Sequence, residues 1–217
     1  IYAAVKGGSS NPFASGTNPI IFKTTNGGNT WAKIEPDLRQ ISVIEIHPQD
    51  HNKIFIGSSD GIYTSNDSGN MVEKLKSFRD SVISIEVQSD NPNVVYAASS
   101  SKVLSSDDDG KTWQDITGQL NEIHRVRVSS SSTNILYAAT YDGIFKSEDF
   151  GSTWVDKTNN LKSKNIQIVT IHPENANIAF VGHSSLWSSV RSEDKFRNGL
   201  LAHQGIFKTI DGGDSWF

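Results

Sequence analysis

No cysteine occurs among the 217 residues, which excludes disulfides and thiolate-held zinc and leaves the redox compartment open. Long apolar runs are missing too. The longest have strand length, so no segment is suited to cross a bilayer as a helix. A basic excess is also lacking: 20 Lys and Arg stand against 24 Asp and Glu, for a formal charge of −4. That removes a broad positive surface for nucleic acid or anionic lipid. Neither a Gly-rich phosphate loop opening a helix nor a Gly-x-Ser-x-Gly elbow is present. The chain starts at Ile1 in a strand-like IYAAV, without initiator Met or leader, and stops at Phe217 just after a motif that should lead into a strand. The expectation is a piece of a longer protein, with any targeting signal outside it.

What is present is a repeat. TTNGGNTW, SNDSGNMV, SDDDGKTW, SEDFGSTW and TIDGGDSW align, and their last positions, 31, 72, 113 and 154, are each 41 apart; the final step, to 216, is 62. Upstream of every motif lies a strand with Phe, Tyr or Leu at one fixed place (IIFKTT, GIYTSN, KVLSSD, GIFKSE, GIFKTI). Before it comes a second strand (IYAAV, KIFIGSS, VVYAASS, ILYAAT, IAFVGH). A third precedes that one (ISVIEIHP, VISIEVQS, IHRVRVSS, IQIVTIHP) in all units but the first. Each unit therefore reads as strand A, strand B, strand C, motif, strand D, with period-two alternation and turn residues between A and B. Four short antiparallel strands recurring about every 40 residues form the blade of a β-propeller, because a lone blade cannot bury both faces and stacked blades can. The expected fold is all-β, with five blades visible as part of a larger ring. The repeats fall near 1–40, 41–81, 82–122, 123–164 and 165–217 of one partial propeller domain, with 19 strands in all.

The motif has a chemical rationale. Its Asp or Asn (Asn26, Asp67, Asp108, Asp149, Asp211) is expected to bond backbone N–H groups two residues on, in an Asx-type turn. Its Gly (Gly28, Gly69, Gly110, Gly151, Gly213) suits a positive-φ position closing the C–D hairpin. The leading Ser or Thr can add a hydroxyl bond. Trp31, Trp113, Trp154 and Trp216 are read as plugs wedged between blades, each contributing about 3 kcal/mol or more by burial. Val72 replaces the indole in the second motif, so that blade should be the least well packed.

The pattern Ser-x-Asp-x-Gly-x-Thr-Trp resembles the Asp-box, or BNR, repeat, and the likeness covers essentially the whole chain. Families that look similar include sialidases, xyloglucan-cleaving endoglucanases, sortilin-type receptors and photosystem II assembly factors; their shared property is a propeller with the box on the C–D turn. The box thus implies fold and not activity. HPENANIAFVG and GIFKTIDGGDSW are most similar to the xyloglucanase and assembly-factor branches. The resemblance to sialidases fails at the site, since Arg39, Arg79, Arg125, Arg127, Arg191 and Arg197 all lack the Arg-Ile-Pro context of the sialidase Arg triad. Xyloglucanases resemble two propellers clasping a glycan with one catalytic Asp from each, so a piece of this size supplies half of such a site at best.

In a meander, loops B–C and D–A emerge on one face, and A–B and C–D on the other. Both long insertions fall in B–C loops: KGGSSNPFASGTNP in the first unit, and Ser184 to Gln204 in the fifth. Long loops on a rigid scaffold are where function concentrates. Phe13, Trp187, Arg191, Phe196, Arg197 and His203 are the candidate binding residues, an aromatic and guanidinium surface for a sugar or a protein. The competing reading packs Trp187, Leu200 and Leu201 onto their own blade. Glu193 and Asp194 read as solvated acids.

Glu45, Glu86, Arg127 and Thr170 share one column of the innermost strands, where Glu86 and Arg127 read as an ion pair between neighbouring blades. Asp107, Asp108 and Asp109 lack calcium-loop spacing; Asp108 belongs to the box and the other two are expected to be exposed. His47 and His172 recur because their turn recurs. No metal, cofactor or catalytic residue is expected. The reading is a module, extracellular, periplasmic or on a cell surface, that binds a protein or polysaccharide without inserting in a membrane. The alternative is a fragment of a xyloglucanase-like glycoside hydrolase.

Overall fold

In the computed structural model, which describes residues 1–5, 19–38, 40–183 and 205–217, eighteen strands and no helix are present among those residues. They form five antiparallel sheets. The first contains β1 (Tyr2–Val5), β2 (Ile20–Lys23) and β3 (Ala32–Ile34). The second contains β4 (Val43–Ile46), β5 (Ile54–Ser58), β6 (Gly61–Ser65) and β7 (Glu73–Ser77). The third contains β8 (Val82–Val87), β9 (Val95–Ser99), β10 (Val103–Ser106) and β11 (Gln114–Asp115). The fourth contains β12 (Ile123–Val128), β13 (Leu136–Thr140), β14 (Ile144–Ser147) and β15 (Val155–Asp156). The fifth contains β16 (Ile166–His172), β17 (Asn175–His183) and β18 (Gly205–Thr209). Sequence order is spatial order in every sheet, as expected for propeller blades. Where a nineteenth strand is expected, Phe217 and Lys208 exchange two backbone hydrogen bonds of 3.0 and 2.9 Å. The chain divides into two compact units, Ile1–Ser99 with Leu104–Gln114, and Ser100–Val103 with Asp115–Phe217.

Alternation along the second strand of each sheet builds the core. In the first unit, Ile54 and Ile56 join Ile21, Ile34, Leu38 and Ile41 in one cluster. Phe55, between them, points the other way and joins Ile62, Val82, Ile85, Val95 and Ala97 in another. Successive side chains of a strand leave by opposite faces, so a strand between two neighbours is buried at every position. β5, β9 and β13 are indeed buried throughout. In the second unit, Tyr137, Ala139 and Ile144 of the fourth sheet meet Ile166, Val169 and Val181 of the fifth.

The box turns share one geometry. Ser147 Oγ accepts hydrogen bonds from Asp149 N at 3.3 Å and Gly151 N at 2.8 Å, and donates to Asp149 Oδ1 at 2.7 Å. Asp149 in turn accepts Thr153 N at 2.8 Å and the Thr153 hydroxyl at 2.6 Å. The carboxylate therefore reaches four residues on, rather than the two expected, because the serine hydroxyl takes the nearer N–H groups. The same pattern recurs around Ser106 and Asp108, Thr209 and Asp211, and Thr24 and Asn26. In the second box Asp67 binds Met71 N, at 2.9 Å. Two successive residues take positive φ, for example Phe150 at 60° and Gly151 at 88°. The second is glycine for a further reason: a Cβ on Gly151 would stand 2.4 Å from Ile116 Cδ1, and one on Gly110 would stand 2.7 Å from Leu75 Cδ1.

The indoles pack against the sheet that precedes their own. Trp154 Nε1 donates to Ile116 O at 2.9 Å, and Trp216 Nε1 to Lys157 O at 2.8 Å; these rings are 4 % and 3 % exposed. Trp113 lies against the cluster of Phe55 and Ile62 and donates to Gly110 O of its own box at 2.7 Å. Trp31 differs from the expectation. It is 43 % exposed. The weakest box plug is therefore Trp31 and not Val72, which packs against the cluster of Ile21 and Ile54.

Trp154→Ala is expected to cost about 3–5 kcal/mol, the usual range for a large buried aromatic, and Trp31→Ala about 1 kcal/mol for its partial burial. Urea unfolding followed by circular dichroism measures both. Box acids also set an acid limit. Hydrogen bonds from Thr112 N and the Thr112 hydroxyl hold Asp108 down to about 2, and Asp67, Asp149 and Asp211 are likewise lowered by the N–H or hydroxyl four residues on. Values below the unfolded 3.8 contribute stability that is present above it and lost as pH falls through the folded value. The thermal midpoint should thus drop between about pH 4 and pH 2. Asp108→Asn, which keeps the acceptor that Asn26 uses for Thr30 N, should flatten part of that drop.

Candidate binding face

The ends of the sheets that carry the B–C and D–A connections are held by short polar ties. In the second sheet Asp60, in the β5–β6 turn, accepts Lys74 Nζ at 2.6 Å and the Tyr63 hydroxyl at 3.0 Å, and its carbonyl accepts Phe78 N at 3.1 Å. Burial raises the Asp60 pKa, but hydrogen bonds from Lys74 and Tyr63 outweigh it and leave the carboxyl below its ordinary value. At the corresponding end of the third sheet the signs are exchanged: Lys102 Nζ meets Asp115 Oδ2 at 2.6 Å. Burial acts upward on Asp115 as well, and Lys102 and Thr117 together bring it to about 2. The fourth sheet uses hydroxyls in place of an ion pair. Thr140 Oγ1 donates to Gly143 O at 3.0 Å, and Ile144 N donates to Thr158 Oγ1 at 3.2 Å. Within each sheet these groups are engaged with one another and so frame its own turn. Beside them, Tyr141 in the β13–β14 turn presents a ring that is 41 % exposed.

The innermost strands add a feature that the sequence reading missed. Register shifts occur between Val82 and Ser84, Ile123 and Arg125, and Ile166 and Ile168, so Ile83, His124 and Gln167 are bulge residues. A bulge turns a side chain out of the alternating pattern. In the second unit, Gln167 Nε2 lies 3.1 Å from His124 Nε2 and donates to Asn165 Oδ1 at 2.5 Å. This polar group stands at the D–A end of β12 and β16. A trace of it exists in the sequence: the apolar positions Ile123, Val126, Val128 and Ile166, Val169, Ile171 begin with a step of three instead of two.

Phe13, Trp187, Arg191, Phe196, Arg197 and His203 lie outside the described residues, as do Glu193, Asp194 and Arg39. The strands that flank their loops are described. Residues 6–18 join β1 to β2, and 184–204 join β17 to β18, where His183 stacks on Phe207 at 5.6 Å. Glu45, Glu86, Arg127 and Thr170 occupy one rung of the inner strands, opposite Phe55, Tyr96, Tyr137 and Phe180. At the box end, Asp107 is exposed, but Asp109 is not the free acid expected of it. Its carboxylate pairs with Lys53, because its positive φ of 66° turns the side chain back on the second sheet. His47 Nδ1 accepts Asp50 N at 3.0 Å, and His172 Nδ1 accepts Glu174 N at 3.2 Å, so both rings cap turns. Among the described residues no group of three metal-binding side chains comes together, and no helix is long and apolar enough to cross a membrane.

Gly143 fixes the β13–β14 turn at φ 149°, and a Cβ there would stand 2.0 Å from Thr158 Oγ1. Gly143→Ala is expected to cost about 1–3 kcal/mol and to break the Thr158 tie. Thermal unfolding, with amide exchange at Ile144, reads both effects.

The Sortilin-Vps10 family, described as sortilin, neurotensin receptor 3, matches residues 20–142, more than half of the chain. No curated protein matches the sequence with significance. Among solved structures, the GH74 enzyme of Niastella koreensis superposes with a TM-score of 0.72 at 20 % identity, over 92 % of this chain and 34 % of that one. The GH74 xyloglucanase from Xanthomonas campestris gives 0.72 at 14 % identity, over 99 % and 36 %. YCF48 bound to D1 peptide gives 0.60 at 16 %, over 93 % and 61 %. The chain spans about a third of the length of these GH74 chains. At such identities the likeness is one of fold, and the fold is the β-propeller.

Proposed function

Because the chain belongs to the Sortilin-Vps10 family of Asp-box propellers, we propose that it is a non-catalytic propeller module working outside the cytoplasm. In this reading it binds a protein or a polysaccharide through its B–C and D–A loops. The observation that carries the proposal is the placement of its two long connections. Both join the second strand of a sheet to the third, the connection that Asp60 with Lys74 ties in the second sheet and Thr158 with Ile144 ties in the fourth. A frame whose polar groups satisfy one another holds loops in place, and the loops supply the contacts. The described neighbours are in keeping with either ligand class, one being a xyloglucanase and another being bound to a peptide.

A second reading, a fragment of a xyloglucanase-like glycoside hydrolase, draws on the GH74 likeness. Such an enzyme of the inverting kind needs two facing carboxyls roughly 6.5–9.5 Å apart.

The purified chain is expected to be retarded on native gels cast with xyloglucan or, for a protein ligand, to crosslink through residues 184–204. Either result should be lost in a Trp187→Ala, Arg191→Ala double variant. No reducing sugar should be released from xyloglucan. Release that Asp194→Ala abolishes would establish the hydrolase reading in its place.

A further inference from the structure

Four of the boxes carry Asp at their third position, namely Asp67, Asp108, Asp149 and Asp211; the first carries Asn26, and Gly27 follows it. An Asn-Gly step is prone to deamidation, because glycine has no Cβ to shield its own nitrogen. In that reaction Gly27 N gives up its proton and bonds to Asn26 Cγ. The bond from Cγ to Nδ2 breaks, and ammonia leaves. Water then opens the five-membered succinimide, its hydroxyl going to one of the two carbonyl carbons and its proton to Gly27 N. Opening at one carbonyl gives aspartate at position 26. Opening at the other gives isoaspartate, whose main chain runs through the side-chain carbons and is longer by one methylene.

The box controls when this chemistry can run. All polar positions of the Asn26 carboxamide are engaged. Its Oδ1 accepts Thr30 N and the Thr24 hydroxyl, each at 2.9 Å, and its Nδ2 donates to Thr30 Oγ1 at 2.8 Å. Ring closure turns the carboxamide and makes its carbon tetrahedral, a movement that these bonds do not follow. They must therefore open first.

The box also controls which product fits. In three of the carboxylate boxes Oδ1 accepts the N–H four residues on, as in Asn26, and Oδ2 accepts the hydroxyl of the same residue: Thr112 at 2.7 Å, Thr153 at 2.6 Å and Ser215 at 2.6 Å. Aspartate at position 26 thus needs only the Thr30 hydroxyl to rotate from acceptor to donor. Isoaspartate puts its extra methylene inside the span bridged by Thr24 Oγ1, which accepts Asn26 N at 3.3 Å and Gly28 N at 2.9 Å. One hydroxyl cannot hold both donors once the chain between them is lengthened.

We propose that Asn26 is a spontaneous modification site governed by its own turn. It stays an amide while the box is closed and deamidates when the box opens. The aspartate product closes into the turn that the other boxes use, and the isoaspartate product does not. This chemistry is independent of ligand binding at the loop face. Asn198 and Gly199 form a second such step and lie outside the described residues.

The full chain is incubated in mildly alkaline buffer, with and without guanidinium chloride above its unfolding midpoint, beside the end-blocked peptide TTNGGNTWAK. Trypsin cuts after Lys23 and Lys33, so mass spectrometry of residues 24–33 follows this site apart from Asn198. The unfolded chain should react as fast as the peptide. The folded chain should react at least about ten-fold more slowly, because reaction waits on local opening. Thr24→Ala, which removes the hydroxyl beneath the turn, should raise the rate in buffer several-fold. The two products of the unfolded reaction are then refolded and separated by chromatography. The aspartate form should melt with the Asn26→Asp variant and close to the unreacted chain, and the isoaspartate form several degrees lower. Equal rates for the folded and unfolded chain, or one shared midpoint for both products, would overturn the proposal. Both comparisons use the wild-type sequence, so they decide the matter even if Thr24→Ala does not fold.

Discussion

The structure depends on a serine or threonine hydroxyl that accepts two backbone N–H groups at once. At Ser147 those groups belong to Asp149 and Gly151. The hydroxyl is buried, and without it both donors would be unsatisfied next to the core, at a cost of about 1–3 kcal/mol each. Once the turn is fixed, the Asp can hold the residue four positions on, and the chain is delivered into strand D with its indole aimed at the preceding sheet. The glycine completes the constraint. Its φ is positive, and it is also the point of closest approach, where Ile116 or Leu75 leaves no room for a Cβ. One turn thereby sets both the hairpin and the spacing between neighbouring sheets.

From that constraint follows the distribution of exposed apolar surface. Ile62 and Ile144 sit at one place in the third strand of their sheets, each fully buried against the sheet that follows. Ile206 holds the same place in β18 and is 78 % exposed. A blade is stable only through its neighbours, so a residue's burial reports which neighbours it has and not how apolar it is.

A frame of this kind separates architecture from recognition. Asp60 with Lys74 and Lys102 with Asp115 show that the same tie is made with either sign of charge, so what matters at those positions is closure of the turn. Such pairs are partly exposed and individually weak, but together they fix where the connections leave the sheets. The boxes at the other end are internally saturated.

The blade order, the box turns and the alternation of buried strands were legible in the sequence because they depend on contacts within one repeat, and a repeat of 41 residues writes them several times over. The candidate site was legible only as loop lengths. Sequence placed Phe13 and Trp187 in B–C connections, yet it could not say that Asp109 would fold back to Lys53, or that His124 and Gln167 would meet across strands 43 residues apart. It treated all four box indoles alike, although Trp154 is enclosed and Trp31 is not. Local pattern determines which residues are able to pack, because turn and strand geometry repeat with the chain. Only the tertiary structure decided which of them have something to pack against, because burial and bulge direction are properties of neighbouring sheets.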